Sequence, residues 1–163
     1  MKRVVIIAFN FGPAGSVVNG PGICLYNFYN FIKDNTDIDI KIFTEMGVHP
    51  DFKTEDIFLM KRKELLSSFI RDSDVVHHWS GSSKEYVKIL NFSNFCKKTI
   101  FIGPNVIDTV NRDFEIKLLS KINFNKLLVV NDRIKYRVCD FYKIHPDSIS
   151  TFMVGPDLNL WSP

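Results

Sequence analysis

The chain has 163 residues, of which 45% are hydrophobic and 24% are charged, and its formal net charge is +3. This is the size and composition of one globular domain that can bury a substantial core. The small positive charge gives no reason to expect nucleic acid as a partner. No apolar run is long enough to span a membrane. Three widely spaced cysteines, Cys24, Cys96 and Cys139, favour free thiols in a reducing compartment.

Short apolar runs alternate along the chain with stretches in which apolar residues recur at helical spacing. Val4 to Phe9 is a continuous apolar run, typical of a strand buried on both faces of a parallel sheet. Leu25, Phe28 and Ile32 show the spacing of a helix. The strands predicted in this way are 4–9, 38–42, 57–60, 74–79, 99–102, 127–130 and 149–154, and the predicted helices carry apolar residues at 25–32, 65–70, 86–90, 114–119 and 134–141. The alternation predicts an α/β fold, a Rossmann-like parallel sheet of about seven strands with helices on both faces.

Short sequence patterns predict where two of the helices begin and which face of one strand is buried. The isoleucines at 38, 40 and 42 alternate with Asp39 and Lys41, which indicates a half-exposed strand. Ser82 and Glu85 form a capping box before one helix. Asp132 is expected to cap the helix that follows it.

A glycine-rich loop follows the first predicted strand. Ligands of open parallel sheets bind beyond the carboxyl ends of the strands, so this loop is a candidate site. Its glycines, Gly12, Gly15, Gly20 and Gly22, allow the backbone to approach a ligand closely. The helix that begins near Gly20 can also present free N–H groups to a phosphate. The alternative is an ordinary flexible turn.

Two adjacent histidines, His77 and His78, lie near the end of the strand predicted at 74–79. Neighbouring residues on a strand face opposite sides, so at most one imidazole faces any single site unless the strand has already ended. Such a ring can hydrogen-bond a substrate hydroxyl or relay a proton. The alternative is a histidine packed in the core. No carboxylate or further histidine stands at ligand spacing, so no metal is expected.

Polar residues follow two further strands. Gly103 and Asn105 come after the strand at 99–102, where the Asn105 amide can both donate and accept hydrogen bonds; an ordinary turn is the alternative. Asn131 and Arg133 come after the strand at 127–130. Asn131 is a candidate polar contact, and Arg133 is either a phosphate ligand or a solvated helix charge.

The order of these motifs resembles the N-terminal half of GT-B glycosyltransferases of family 4. The matching features are the glycine-rich loop, the segment Asp74-Val75-Val76-His77, Gly103 after its strand, and a closing stretch with Gly155, Asp157, Trp161 and Pro163. The resemblance implies an acceptor-side domain at 1–155 and the start of an interdomain linker at 156–163. The C-terminal donor-binding domain would then be absent from this chain.

The resemblance also implies an activity. In this family a sugar moves, with retention, from a nucleotide-sugar to a hydroxyl of a sugar or lipid-linked acceptor, without a metal or other cofactor. The glycine-rich loop would face the donor diphosphate and the acceptor, with His77 or His78 as the catalytic candidate, and this chain alone would be inactive. The expected location is the cytoplasm, with weak membrane-surface contact through the basic run Lys61-Arg62-Lys63.

Two other classes of function remain open. A Rossmann-type nucleotide-binding or oxidoreductase domain would use Gly20, Gly22 and Glu45, the last as a ribose-binding acid. The insert from Phe11 to Asn19 separates the first strand from these glycines, which departs from that fingerprint. The other alternative is a non-catalytic stand-alone half that pairs with a donor-domain subunit.

Overall fold

The computed structural model describes residues 1–12, 20–48, 50–79, 99–102, 126–129 and 131–151. The elements in chain order are β1 (Arg3–Ala8), α1 (Gly20–Asn35), β2 (Asp39–Thr44), β3 (Ile57–Leu59), α2 (Lys63–Arg71), β4 (Val75–Trp79), β5 (Thr99–Ile102), β6 (Lys126–Val129), α3 (Asp132–Tyr142) and β7 (Ile149–Thr151), with short 3-10 turns at Pro50–Phe52 and Pro146–Ser148. The predicted α/β class is confirmed. The helices predicted at 86–90 and 114–119, and the capping box of Ser82 and Glu85, lie outside the described residues.

The strands form one parallel sheet in the order β3-β2-β1-β4-β5-β6-β7. β1 is the strand at which this order reverses, because it pairs with β2 on one side and with β4 on the other. Val4, for example, lies between Ile40 and Val75. In open parallel sheets such a reversal leaves a crevice at the carboxyl ends of the two diverging strands, here β1 and β4.

Helices cover both faces of the sheet, as the sequence predicts. Alternate residues of each strand point to opposite faces, so two separate cores form. One core contains Val5, Ile7, Phe43, Val76, Leu127, Val129 and Ile149 from the strands, with Leu66 and Ile70 of α2 and Val138 of α3. The other contains Ile6, Ala8, Ile40, Ile42 and Trp79, with Leu25 and Tyr29 of α1.

The predicted alternation along β2 is confirmed. Ile40 and Ile42 are buried beneath α1, whereas Asp39 and Lys41 keep part of their surface exposed. The Lys41 ammonium lies 3.1 Å from an Asp39 oxygen and also contacts Asp56. The lysine therefore neutralises acids within the fold.

Asp56 is the centre of this charged cluster. Its carboxylate is 3% exposed and accepts hydrogen bonds from the Tyr29 hydroxyl at 2.8 Å and from the Lys33 ammonium at 2.9 Å, as well as from Lys41. Burial alone would raise the pKa of Asp56, but the hydrogen bonds from Lys41, Lys33 and Tyr29 outweigh it and hold the pKa below its usual range. The cluster ties α1 and β2 to the turn that precedes β3.

The start of α3 also differs from the expectation. Asn131, with the extended backbone of a capping residue (φ −163°, ψ 169°), accepts a hydrogen bond from the Ile134 N–H at 2.9 Å. The prediction that Asp132 is the cap is wrong, because Asp132 is already the first helical residue. Asparagine and aspartate cap helices about equally well, so the sequence alone favours neither neighbour.

Asp56→Asn should lower the free energy of unfolding by about 2–3 kcal/mol, because it leaves two lysines and a tyrosine hydroxyl without their carboxylate. Urea unfolding followed by circular dichroism measures the loss. Asp37→Asn is the matched control, since Asp37 is exposed between α1 and β2. Equal effects of the two substitutions would show that the Asp56 cluster contributes nothing specific to stability.

Candidate functional site

The carboxyl edge of β1 and β2 lies beside the point between β1 and β4 at which the strand order reverses. Backbone pairing continues past the strand ends there, because the N–H groups of Glu45 and Met46 donate to the carbonyls of Ala8 and Phe9 at 3.2 and 2.9 Å. The chain after β1 turns back beneath the start of α1 through Asn10, Phe11 and Gly12. Asn10 and Phe11 are buried, whereas Phe9 is 38% exposed.

Two of the predicted glycines meet at this edge. The Gly12 N–H donates to the Gly22 carbonyl at 2.9 Å, and Gly12 has a positive φ of 66°. A β-carbon on Gly22 would lie 2.4 Å from the Gly12 carbonyl oxygen and 3.1 Å from the Asn10 side chain. The chain after β1 and the first turn of α1 can therefore pack this closely only with glycine at position 22. Gly20 is the first residue of α1, and Gly15 lies outside the described residues.

Two polar side chains at the same edge have unsatisfied buried atoms. Asn10 is 3% exposed, and its Nδ2 has no hydrogen-bond partner in the part of the chain that the structure describes. The same holds for Oε2 of Glu45, which directly follows β2, and for Nε2 of His77 in β4. Buried polar atoms are nearly always paired, so each unpaired one calls for an explanation, of which a bound ligand or water is one. Asn10 is not among the site residues predicted from the sequence, although a polar residue directly after the predicted apolar strand 4–9 is a usable signal.

The two histidines are inside β4, since the strand runs on to Trp79. They lie on opposite faces of the sheet, as strand geometry predicts. His77 is 7% exposed and faces α1, with its ring centroid 6.2 Å from Phe28 and 5.8 Å from Trp79. His78 is fully buried. Burial lowers the pKa of His77 to about 4; burial and the charge of His77 lower that of His78 to about 3. Both rings are therefore neutral at pH 7.

Of the other predicted site residues, Asn131 and Arg133 are not brought to this edge. Asn131 and Arg133 are exposed at the start of α3, beyond β6, and two strands, β4 and β5, separate β6 from β1. The side-chain oxygen Oδ1 of Asn131 already caps α3 by accepting from the Ile134 N–H. Gly103 and Asn105 lie outside the described residues.

Other chemical features of the described residues are few. Cys24 and Cys139 are free thiols, and burial raises the pKa of Cys24. Among the residues that the structure describes, no three His, Cys, Asp or Glu side chains come together as metal ligands. Within the described part of the chain, no helix has both the length and the apolar character needed to cross a lipid bilayer.

Comparisons with known proteins point to a fold. No protein-family model and no curated protein sequence matches the chain. The chain superimposes on an α-glucosyltransferase solved with UDP and a 13-mer DNA containing a central A:G mismatch, with a TM-score of 0.61 at 12% identity. That match covers 98% of this chain and 43% of the glucosyltransferase chain. An exopolyphosphatase-related protein from Bacteroides fragilis superimposes with a TM-score of 0.48 at 14% identity, over 86% of this chain and 40% of that protein. This TM-score is too low to show a shared fold.

The likeness to the glucosyltransferase shows the fold, a Rossmann-like α/β domain. At 12% identity it does not show the family, and assignment to family 4 stays a prediction. The chain spans less than half of the protein that it resembles.

Gly22→Ala should destabilise the fold by about 1–3 kcal/mol, because the added methyl group meets a backbone carbonyl that has little room to move. Gly47→Ala is the matched control, since nothing lies within 4 Å of a β-carbon there, and it should be neutral or slightly stabilising. Thermal unfolding of the two variants measures the difference. A Gly22→Ala variant as stable as the control would refute the close contact.

Acid should destabilise the chain through the buried histidines. Their folded pKa values lie below the unfolded value of 6.5, so the unfolded chain takes up more protons as the pH falls. Their contribution to stability is complete above pH 6.5 and is lost toward pH 4 for His77 and toward pH 3 for His78. His77 alone accounts for roughly 3 kcal/mol over this window. His77→Phe should flatten the profile of unfolding free energy against pH, whereas His145→Gln, at an exposed site, should not.

Proposed function

We propose that the chain is the acceptor-side domain of a GT-B glycosyltransferase of the family 4 type. Such an enzyme would move a sugar, with retention, from a nucleotide-sugar to a hydroxyl of a sugar or lipid-linked acceptor. The observation that carries the proposal is the fold likeness to an α-glucosyltransferase, which extends over 98% of the chain. The order of sequence motifs, from the glycine-rich loop to Trp161-Ser162-Pro163, supports it independently.

The proposal divides the work between two domains. This chain corresponds to 43% of the glucosyltransferase, and a donor-binding domain would make up most of the remainder. The crevice between β1 and β4 would form the acceptor wall, with the first turn of α1 directed at a phosphate. Cationic side chains and helix dipoles of the donor domain would stabilise the leaving diphosphate, so no metal is required.

A catalytic role for His77 or His78 stays a prediction. A neutral imidazole is the form that accepts a proton from an attacking hydroxyl, and burial keeps both rings in that form. Neither ring is at the open edge, however, because β4 continues through Trp79. The observed packing of His77 against Phe28 and Trp79 suits a part of the crevice floor equally well.

The cellular setting is part of the same proposal. Lys61 and Arg62 are exposed shortly after β3, the edge strand of the sheet, where they can contact anionic lipid headgroups. A lipid-linked acceptor would then be drawn from the cytoplasmic face of a membrane. The glucosyltransferase was solved with DNA, so a DNA duplex also belongs among the acceptors tested.

One observation favours a second candidate, a Rossmann-type nucleotide-binding or oxidoreductase domain. Glu45 directly follows β2, which is the position of the ribose-binding acid in dinucleotide-binding folds. Gly22 in the first turn of α1 fits the same scheme. Saturable binding of NAD or NADP, with no binding of nucleotide-sugars, would favour this candidate over glycosyl transfer.

The product of the complete gene should release UDP or another nucleoside diphosphate from a nucleotide-sugar when a suitable acceptor is added. Residues 1–163 alone should give little or no release, because in this proposal the donor-binding half lies outside them. A coupled nucleotide-release assay over a panel of sugars, lipid-linked sugars and DNA duplexes measures both. Robust turnover by residues 1–163 alone would overturn the division into two halves.

If the complete gene product consists of these residues alone, co-purification of a separate donor-domain chain would support the other alternative, a non-catalytic half that pairs with a donor-domain subunit. Turnover by the reconstituted pair would then retain the glycosyltransferase proposal. Absence of transfer by every form of the protein would reject it.

A further inference from the structure

The connection between β2 and β3, residues 45–56, is attached to the rest of the fold at both of its ends. At its start, the N–H groups of Glu45 and Met46 donate to carbonyls of the chain at the end of β1. At its end, the Asp56 carboxylate accepts from the Tyr29 hydroxyl at 2.8 Å and from the Lys33 ammonium at 2.9 Å. The connection is therefore held to β1 at one end and to α1 at the other.

Phe52 provides a third attachment between these two. Its ring lies edge-on to Tyr26 of α1, with 4.9 Å between the ring centroids and an interplanar angle of 82°. This edge-to-face arrangement is a favourable geometry for an aromatic pair. A β-carbon placed on Gly12 would lie 3.1 Å from Cγ of the same Phe52 ring, so the ring also lies against the Gly12 backbone. One side chain of the connection thus contacts both α1 and the chain after β1.

Gly12 is a residue whose conformation such a contact can select. Its φ is 66°, in a region that glycine enters about as readily as it enters the others open to it. Nothing within the glycine itself therefore favours the observed conformation. The Gly12 N–H donates to the Gly22 carbonyl at 2.9 Å, and this bond joins the two described ends of the glycine-rich loop. The Phe52 ring, packed against the same backbone, restricts the conformations in which that bond is broken.

The Phe52 ring is supported by an aromatic row that continues into the core. The ring centroids of Tyr26 and Phe11 are 5.6 Å apart, and those of Phe11 and Tyr29 are also 5.6 Å apart, with the rings edge-on in both pairs. Phe11 and Tyr29 are buried, and the Tyr29 hydroxyl is bonded to Asp56. The row therefore begins and ends on the same connection, which gives the Phe52 ring a fixed support.

We propose that Phe52 is a positioning residue that holds Gly12 in the conformation that closes the glycine-rich loop onto Gly22. Phe52 acts through Gly12 and touches no substrate. The role rests on the proposed function only for the expectation that the closed loop faces a substrate. No sequence motif identifies Phe52, because it lies between the predicted strands at 38–42 and 57–60.

Amide hydrogen exchange of the ¹⁵N-labelled chain, followed by nuclear magnetic resonance, tests the effect on Gly12, because exchange reports local opening. Phe52→Ala should lower the protection of the Gly12 N–H about tenfold relative to that of Ile6 in β1, and Phe52→Tyr should restore it. Phe58→Ala is the matched control, since Phe58 stacks on Phe43 in the other core. It should not lower protection at Gly12 more than at Ile6. An equal loss at Gly12 and Ile6 in Phe52→Ala would overturn the proposal.

A second measurement tests the contact without relying on exchange. Gly12→Ala should destabilise the fold both through its positive φ and through contact of the new methyl group with the Phe52 ring. Phe52→Ala removes only the second cause. The urea midpoint of the double variant should therefore lie above the value expected from adding the two single shifts. Additive shifts would overturn the contact, and Phe52→Leu takes the place of Phe52→Ala if that variant does not fold.

Kinetics of the complete protein separate this role from the proposed function. If the closed loop faces the substrate, Phe52→Ala should raise the KM for the nucleotide-sugar more than it lowers kcat, and Phe58→Ala should not. Sugar transfer with a KM and a Gly12 protection that Phe52→Ala leaves unchanged would reject the positioning role and retain the function. Selective loss of protection at Gly12, without transfer by any form of the protein, would retain the positioning role and reject the function.

Discussion

The pairing of β1 with a parallel neighbour on each side is the constraint on which the rest of the structure depends. Because β2 lies on one side and β4 on the other, the connections that leave β1 and enter β4 run over opposite faces of the sheet. α1 therefore covers one face and α2 the other, and two cores form instead of one. The same reversal opens the crevice at the carboxyl ends of β1 and β4, so one pairing pattern sets both the core and the place where a ligand can bind.

Close packing at the edge of this crevice depends on two glycines. The contact between Gly12 and Gly22 brings the chain after β1 against the start of α1, with no side chain between the two backbones. That contact buries Asn10, and burial makes an unpaired amide costly. Gly12 and Gly22, the two ends of the glycine-rich loop that the structure describes, are therefore packed against each other. Their contact determines that Asn10 is held at the edge.

The strands and helices could be predicted from the sequence, whereas the polar contacts between distant residues could not. Apolar runs and helical spacing predict the parallel α/β architecture because burial imposes a period on each element. Whether a polar side chain faces solvent or binds another residue depends on partners that are distant in sequence. The alternating pattern of β2 does not show that Lys41 pairs with Asp56, which lies 15 residues away in sequence. The choice of Asn131 over Asp132 as a helix cap depends on backbone geometry. The close approach of the Asn10 side chain to α1 depends on the absence of a side chain at Gly22.

The residue type that the sequence emphasises and the position that the structure gives it point in different directions. His77 and His78 are reactive residue types, but core packing surrounds both, covers them and keeps them neutral. Nδ2 of Asn10 and Oε2 of Glu45 are buried without a hydrogen-bond partner among the described residues, and so is Nε2 of His77. An unmet hydrogen-bonding requirement therefore occurs on β4 as well as at the edge of β1 and β2. A ligand that completed any of these groups would recover the free energy of an unmade hydrogen bond, so the unmet atoms do not by themselves single out one strand.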